Sequence, residues 1–153
     1  MKNFIIIFIL VSIDQLTKFY ISTNFILGES FYITEYLNLI YIINSGLILG
    51  IFSSINSELM FFIHFFLFFL ALLVIYKFLY SNSEFRNISL LFYSGAVGNT
   101  IDRIFKDGVI DFIDFHYSEI HWPAFNFADL FISLGIILML YKIFKGQDNR
   151  VVS

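Results

Sequence analysis

Two acidic side chains in apolar surroundings are the strongest candidates for chemistry in this sequence. Asp111 lies in the run VIDFI, and Asp129 ends the run FNFAD. A lone carboxylate is costly to bury among such neighbours. If the two side chains met, they would share one proton, because adjacent like charges raise one of the two pKa values. One carboxylate would then activate water while the other protonates a leaving amine, which is the chemistry of amide hydrolysis.

Both acidic positions also have purely structural explanations. Asn126 is spaced to cap a helix, with Asp129 at the third helical position, where the helix dipole favours a negative charge. Asp114, close to Asp111 in sequence, fits a solvated surface carboxylate. The residues alone leave the catalytic and the structural interpretations open.

The run GNTIDR is a third candidate. On a helix, Asn99 and Arg103 share a face, and Asn99 also neighbours Asp102. One interpretation is an interfacial charge pair, with Gly95 and Gly98 permitting close helix packing. The functional interpretation is that Asn99 and Arg103 hold an anionic or carbonyl-bearing ligand.

The composition predicts what surrounds these residues. The 153 residues are 59% hydrophobic and 14% charged, against about 45–50% and roughly 25% in average soluble domains. Mean hydropathy is +0.83. A small globule has too much surface to bury that much apolar side chain, so the sequence predicts an integral membrane protein.

The same counts exclude several classes of protein. The chain has no Cys and only three His, so thiolate sites and cysteine nucleophiles are ruled out. His116 and His121 are poorly spaced for one helix face, and we predict no metal and no cofactor. Positive charges form no block, which argues against a nucleic-acid partner.

Apolar segments of about 20 residues, the length that crosses a bilayer as a helix, set the predicted architecture. We expect spans at 4–22, 58–79, 87–104 and 125–144. The fold class is therefore predicted as an all-α membrane protein with four transmembrane helices and a small extracytoplasmic β-platform. Residues 1–153 would form one integral-membrane domain.

Basic residues predict the orientation, since cytoplasmic ends carry an excess of Lys and Arg. With both termini in the cytoplasm, more basic residues fall inside than outside. The extracytoplasmic segments would be 23–56 and 105–122, with short strands at Phe31–Thr34 and Leu39–Ile43. Leu37–Ile55 is uncharged and long enough for a fifth span, but its Asn, Gly and β-branched residues favour irregular or strand-like backbone.

The first apolar segment is interpreted as a retained helix. No small-residue cleavage site follows it, as a signal peptide would require. Asp14 and Lys18 lie four residues apart, on one helical face, where each neutralises the other. Ionisable groups at membrane depth are expected to be functional.

The ordered motifs DQLTK, NSG, GAVGNTIDR, VIDF and FNFAD resemble the lipoprotein signal peptidase (signal peptidase II) family over the full length of the chain. The resemblance implies a four-helix aspartic peptidase of the bacterial inner membrane. Such enzymes remove signal peptides from prolipoproteins, cutting before a diacylglyceryl-modified cysteine. The implied partners are the prolipoprotein, membrane lipid and globomycin-type inhibitors, and we expect a monomer.

By position, the resemblance implies that Asp111 and Asp129 are the catalytic pair. Residues at the other motif positions would support the site or contact the substrate: Asp14, Lys18, Asn44, Gly46, Asn99, Asp102, Arg103 and Asn126. The chain departs from the family's second motif, NxGxAFG, at Ile48 and Leu49, which replace a small and an aromatic residue. That difference puts the fit of inhibitors in question.

Two other classes of protein remain as alternatives. A small proton-linked transporter or channel subunit would distribute ionisable residues across the bilayer, yet Leu59–Tyr76 is nearly empty of them. A structural or holin-like protein would need none of the outer carboxylates.

Overall fold

A computed structural model describes residues 2–45, 69, 73, 76, 77, 83, 85–106 and 108–151. Within these residues the chain forms three helices and four strands. In chain order they are α1 (Lys2–Asn24), β1 (Ser30–Thr34), β2 (Leu37–Asn44), α2 (Arg86–Phe105), β3 (Val109–Tyr117), β4 (Ile120–His121) and α3 (Phe127–Val151). Of the predicted span 58–79, the structure describes only residues 69, 73, 76 and 77. Gly46, Ile48 and Leu49 lie outside the described residues.

Two of the described helices have the length and composition of membrane spans, namely Lys2–Asn24 and Phe127–Lys145. In α1 the usual amphipathic pattern is reversed. Its buried side chains are Asp14, Lys18 and Ile21, whereas Phe4 and Phe8 are exposed. A helix that buries charge and exposes apolar surface is suited to lipid, where polar groups must find partners inside the protein.

The strands form one antiparallel sheet in the order β1-β2-β3-β4. The two strands predicted in the segment 23–56 are present as β1 and β2. The segment 105–122 adds β3, which pairs with β2 so that Asp114 faces Asn38 and Asp111 faces Ile42. The predicted small sheet is present, and the term all-α is inexact because both segments contribute strands to it. The β-branched and aromatic residues around Asp111 favour this strand.

A small apolar core attaches the sheet to the helices. Its buried members are Ile21 of α1 with Ile110 and Phe112 of β3. Partly buried residues pack around them, including Leu39 of β2 and Phe127 at the start of α3. This core fixes β3, and with it Asp111, against the ends of two helices.

Glycines bring α1, α2 and α3 close together at the same end. A Cβ on Gly98 would lie 2.6 Å from Asp14 Oδ2, and one on Gly95 would meet Ala128 O and, at 2.6 Å, Ile132 Cγ1. Larger residues would push these helices apart. The predicted role of small residues in helix packing is confirmed.

After β4 the chain runs back along β3 before entering α3. Phe125 O accepts hydrogen bonds from Phe112 N at 3.0 Å and Ile113 N at 2.9 Å. Phe125 N donates to Ile113 O at 3.1 Å. Because this residue is engaged by the sheet, α3 begins at Phe127, later than the predicted position 125.

Candidate active site

Asp111 lies within β3 and is only 2% exposed. Its two carboxylate oxygens have different donors. Asn44 Nδ2, at the end of β2, donates to Oδ2 at 3.0 Å. Asn126 Nδ2, from the residue before α3, donates to Oδ1 at 2.7 Å. The carboxylate is thus held between the sheet and a helix N-terminus.

Asp129 lies in the first turn of α3 and is partly exposed. Asn126 Oδ1 accepts from Asp129 N at 3.0 Å, and Asn126 N donates to Asp129 Oδ2 at 3.3 Å. This reciprocal pattern is a capping box. The predicted cap is confirmed. The other oxygen of Asp129 accepts from Asn99 Nδ2 at 2.7 Å.

Asn126 joins the two aspartates. Its amide oxygen accepts from the backbone of Asp129, while its amide nitrogen donates to the carboxylate of Asp111. The residue is fully buried, so both bonds are protected from water. Asp111 and Asp129, which the sequence placed far apart in the chain, meet at one side chain.

Burial raises the pKa of Asp111 to about 6. The hydrogen bond from Asn44 opposes this shift, the negative charge of Asp129 adds to it, and the hydrogen bond from Asn126 and the charge of Lys18 oppose it. A carboxyl group with such a pKa keeps a proton at mildly acidic pH, where an ordinary aspartate has lost it. Asp111 can therefore serve as the proton donor of an acid–base pair.

A buried cation, the ammonium group of Lys18, is linked to Asp129 through Asn99. Lys18, which is fully buried, contacts Asp14 Oδ2 at 2.8 Å and Asp102 Oδ2 at 3.0 Å. Its third hydrogen bond goes to Asn99 Oδ1 at 3.0 Å. An ammonium group has three donors, and all three are used. The predicted pairing of Asp14 with Lys18 is confirmed, and Asp102 extends it.

Asn99 connects this cation to the aspartate pair. Because its oxygen accepts from Lys18, its nitrogen must point to Asp129. Arg103 donates from Nη1 to Asn99 O at 3.3 Å and interacts electrostatically with Asp129 and Asp111. The shared face predicted for Asn99 and Arg103 is present.

Two further bonds tie the charge cluster to the elements that carry the aspartates. Asp14 Oδ1 accepts from Ala128 N, at the start of α3, at 2.9 Å. Asp102 Oδ2 accepts from Ile110 N, at the start of β3, at 3.2 Å. Separately, the other oxygen of Asp102, Oδ1, accepts from Lys106 Nζ at 2.9 Å. The cluster therefore orients both elements of the site.

Sequence reasoning missed two members of this cluster, Lys106, which pairs with Asp102, and Gln15. Gln15 Nε2 donates to Asp14 Oδ2 at 3.1 Å and to Gly98 O at 3.0 Å, so it bridges α1 and α2. Gln15 is the second residue of the motif DQLTK, and its membership of this motif was the sequence signal that could have identified it. Of the predicted supporting residues, Gly46 alone lies outside the described residues.

The expectation for Asp114 is wrong. This carboxylate is 5% exposed and is bonded to Asn38 Nδ2 at 3.1 Å and to His121 Nδ1 at 2.9 Å. It is buried because the strand register places it opposite Asn38. Over the described ranges, His, Asp and Glu side chains form no group of three or more suited to a metal.

Apolar helices, a small sheet and two carboxylates joined through one buried asparagine together define a membrane enzyme, and solved structures agree. The chain is similar to a bacterial membrane enzyme determined by the in meso method at 1.9 Å resolution, with a TM-score of 0.79, 28% identity and 93% and 92% of the two chains covered. A second such structure, at 2.3 Å, has a TM-score of 0.77, 30% identity and coverage of 97% and 90%. The family model described as signal peptidase (SPase) II matches residues 6–145. The chain belongs to this family of peptidases.

Curated relatives agree with the family model. A protein of Thermodesulfovibrio yellowstonii named lipoprotein signal peptidase is 41% identical over 149 residues, which cover 94% of this chain and 95% of the relative. A protein of Clostridium tetani with the same name is 36% identical, with 97% of each chain covered. The resemblance seen in the motifs is confirmed, and it favours a peptidase over a transporter or a scaffold.

Proposed function

We propose that this chain is the lipoprotein signal peptidase of a bacterial inner membrane. It cleaves prolipoproteins immediately before a diacylglyceryl-modified cysteine, using Asp111 and Asp129 as its catalytic pair. The observation that carries the assignment of the pair is the hydrogen bonding of both residues to the buried Asn126. Family membership and the names of the relatives support the substrate class.

The reaction is hydrolysis of one amide bond. A water molecule between the carboxylates gives a proton to the ionised aspartate as its oxygen attacks the scissile carbonyl carbon. The protonated aspartate then gives its proton to the leaving amine, and the carbon–nitrogen bond breaks. Products are a new carboxyl terminus on the signal peptide and a free amine on the lipidated cysteine.

The surroundings of the two aspartates assign their roles. Asp111 is the more buried, and its raised pKa of about 6 makes it the carrier of the shared proton. Asp129 is the more exposed of the two and accepts hydrogen bonds from Asn99 and from the backbone of Asn126, and it is assigned the role of base. In each turnover Asp129 gains a proton from water and Asp111 loses its proton to the leaving amine.

Arg103 and Asn99 complete the proposed machinery. Arg103 is half-buried and lies within electrostatic reach of both aspartates. A guanidinium group in that position stabilises the negative charge that develops on the carbonyl oxygen during attack. Asn99 holds Asp129 in place through its bond to Lys18. Asn44 holds Asp111, the buried cluster of Asp14, Lys18 and Asp102 holds the elements that carry the aspartates, and Gly46 contributes to the substrate site.

The membrane arrangement follows from the same proposal. The spans 4–22, 58–79, 87–104 and 125–144 cross the bilayer with both termini in the cytoplasm. The segments 23–56 and 105–122 lie on the extracytoplasmic face, where water is available. Exposed apolar side chains on α1 and α3 support contact with membrane lipid and with the diacylglyceryl chains. Globomycin-type inhibitors would occupy the substrate site, and the enzyme acts as a monomer.

The test is cleavage of a synthetic prolipoprotein by the purified full chain in detergent. Wild type should cut the diacylglyceryl form before the lipidated cysteine and leave the unlipidated form intact, as read by product mass. Asp111→Asn and Asp129→Asn should each abolish cleavage, while Glu35→Gln, an exposed charge between β1 and β2, should not. Full activity of either aspartate variant would disprove the catalytic pair. Equal cleavage of the unlipidated peptide would disprove the substrate class.

A further inference from the structure

A polar cluster on the sheet lies outside the proposed catalytic machinery. Asp114 of β3, although only 5% exposed, accepts hydrogen bonds from His121 Nδ1 at 2.9 and 3.0 Å. Asn38 Nδ2 of β2 also donates to it, at 3.1 Å. Burying a carboxylate is costly unless it is paired and hydrogen-bonded, and the bonds from His121 and Asn38 meet that need. The positions of Asp114 and His121 along the chain indicate what else their bond does.

Asp114 and His121 close a loop whose two ends carry the active site. Asp114 lies three residues after Asp111, and His121 lies five residues before Asn126. Between them the chain turns at Ser118, which has a φ of 53°. The bond between Asp114 and His121 therefore joins the two sides of the hairpin that brings Asn126 back to Asp111.

Few backbone bonds hold the returning side of this hairpin. β4 has only two residues. Trp122 N donates to Phe115 O at 2.8 Å, and the next bond from this side to β3 comes from Phe125. Pro123, which lies between them, has no N–H to contribute. Phe125, next to Asn126, makes three backbone bonds to Phe112 and Ile113, so the sparse part of the ladder lies between Trp122 and Phe125, and the side-chain bond at His121 secures the hairpin on the far side of that gap.

The chemistry of Asp114 suits a lasting bond. Burial acts to raise its pKa, but the hydrogen bonds from His121 and Asn38 and the charges of His121 and His116 outweigh it, so the pKa of Asp114 is lowered. An ionised carboxylate only accepts, so His121 Nδ1 must carry the hydrogen. The bond therefore forms with either a neutral or a protonated imidazole. The ring of His116 stacks on His121 with centroids 5.1 Å apart, and Glu119 lies in the same turn.

We propose that Asp114 and His121 form a clasp that positions Asn126 against Asp111, which makes both of them positioning residues for peptide hydrolysis. The inference rests on the proposed roles of Asp111 and Asp129. When the clasp opens, the chain before α3 shifts and the bond from Asn126 to Asp111 loses its geometry. Small displacements of reacting groups slow catalysis by as much as about 100-fold. Contacts with the substrate elsewhere on the sheet are kept.

The experiment compares substitutions at His121 in the full-length enzyme acting on the lipidated peptide. His121→Ala and His121→Phe remove the donor, and the second keeps a ring stacked on His116. Both should lower kcat by about 10- to 100-fold with KM changed less than about twofold. His121→Asn keeps a donor near the position of Nδ1 and should restore most of kcat. Glu119→Gln, in the turn of the same hairpin, is the matched control and should keep full activity.

The outcomes separate the clasp from the proposed function. An inactive Asp129→Asn together with a fully active His121→Phe overturns the clasp alone. A loss that appears in KM with kcat unchanged, or a His121→Asn variant as slow as His121→Phe, also overturns it. An active Asp129→Asn contradicts the catalytic pair itself. If His121→Ala does not fold, the pair of Phe and Asn variants still decides, because they differ mainly in the hydrogen-bond donor.

Discussion

Asn126 Nδ2 donates to Asp111 Oδ1 at 2.7 Å, so the residue that caps α3 also holds the buried carboxylate of β3. The cap and the site therefore use opposite ends of one amide group. A change at this position alters helix stability and catalysis at once, unless the replacement keeps only one of the two bonds.

Asn126→Ser should separate those two functions. Serine is as good a helix cap as asparagine, but its side chain is too short to reach Asp111. We expect cleavage to fall by about 100-fold with the thermal midpoint nearly unchanged. Asn126→Ala should lose activity and also about 1 kcal/mol of stability. Activity assays and thermal unfolding in the same detergent check both statements. Equal activity of the Ser variant and wild type would contradict the role of the bond.

The pH dependence of cleavage should report on Asp111. With its pKa raised to about 6, the protonated form disappears as the pH rises through that value, so kcat/KM should decline there. The hydrogen bond from Asn44 lowers the pKa of Asp111. Asn44→Ala should therefore move the alkaline limb of the profile to higher pH. A shift to lower pH, or none, would contradict the assignment of that limb.

Stability should depend on pH through the same group. The pKa of Asp111 is higher in the folded protein, about 6 against an ordinary 3.8, so the folded state binds the extra proton between those values. Its contribution to stability is therefore lost as the pH rises through that window, by about 3 kcal/mol in total. Asp111→Asn lacks this loss. The thermal midpoint of the variant should exceed that of wild type by more at pH 7.5 than at pH 5.

Removing the buried cation should destabilise the protein strongly. Lys18→Met leaves Asp14 buried without a cation and leaves Asp102 with Lys106 alone, and breaking a buried ion cluster in this way costs about 3–5 kcal/mol. The triple variant Asp14→Asn, Lys18→Met, Asp102→Asn removes the uncompensated charge and should recover part of that loss. The yield of folded protein and its thermal midpoint measure both effects. If the single variant were as stable as wild type, the ion cluster would not contribute to folding.

Local patterns allowed much of the fold and the site to be predicted. The apolar composition gives a membrane protein, and the four-residue spacing of Asp14 and Lys18 gives their ion pair. The spacing of Asn126 and Asp129 gives the helix cap. Each of these depends on residues close in sequence, where geometry is nearly fixed by the helix.

The errors come from contacts between distant segments. Pairing of β2 with β3 joins residues separated by about half of the chain, and no local pattern selects the partner strand. That pairing buries Asp114 opposite Asn38, so its burial was not predictable either. Gln15 was missed for the same reason, since Gly98 and Asp102, two of its partners, belong to another helix.

The reversed surface of α1 has a consequence for how the protein is made. A segment whose concealed side chains include an aspartate and a lysine, and whose outside is oily, cannot assemble in water first and enter lipid afterwards. Insertion must come before tertiary assembly, and within one helical turn the two opposite charges travel together as a nearly neutral unit. The bonds of Lys18 to Asn99 and Asp102 form only once α2 lies beside α1.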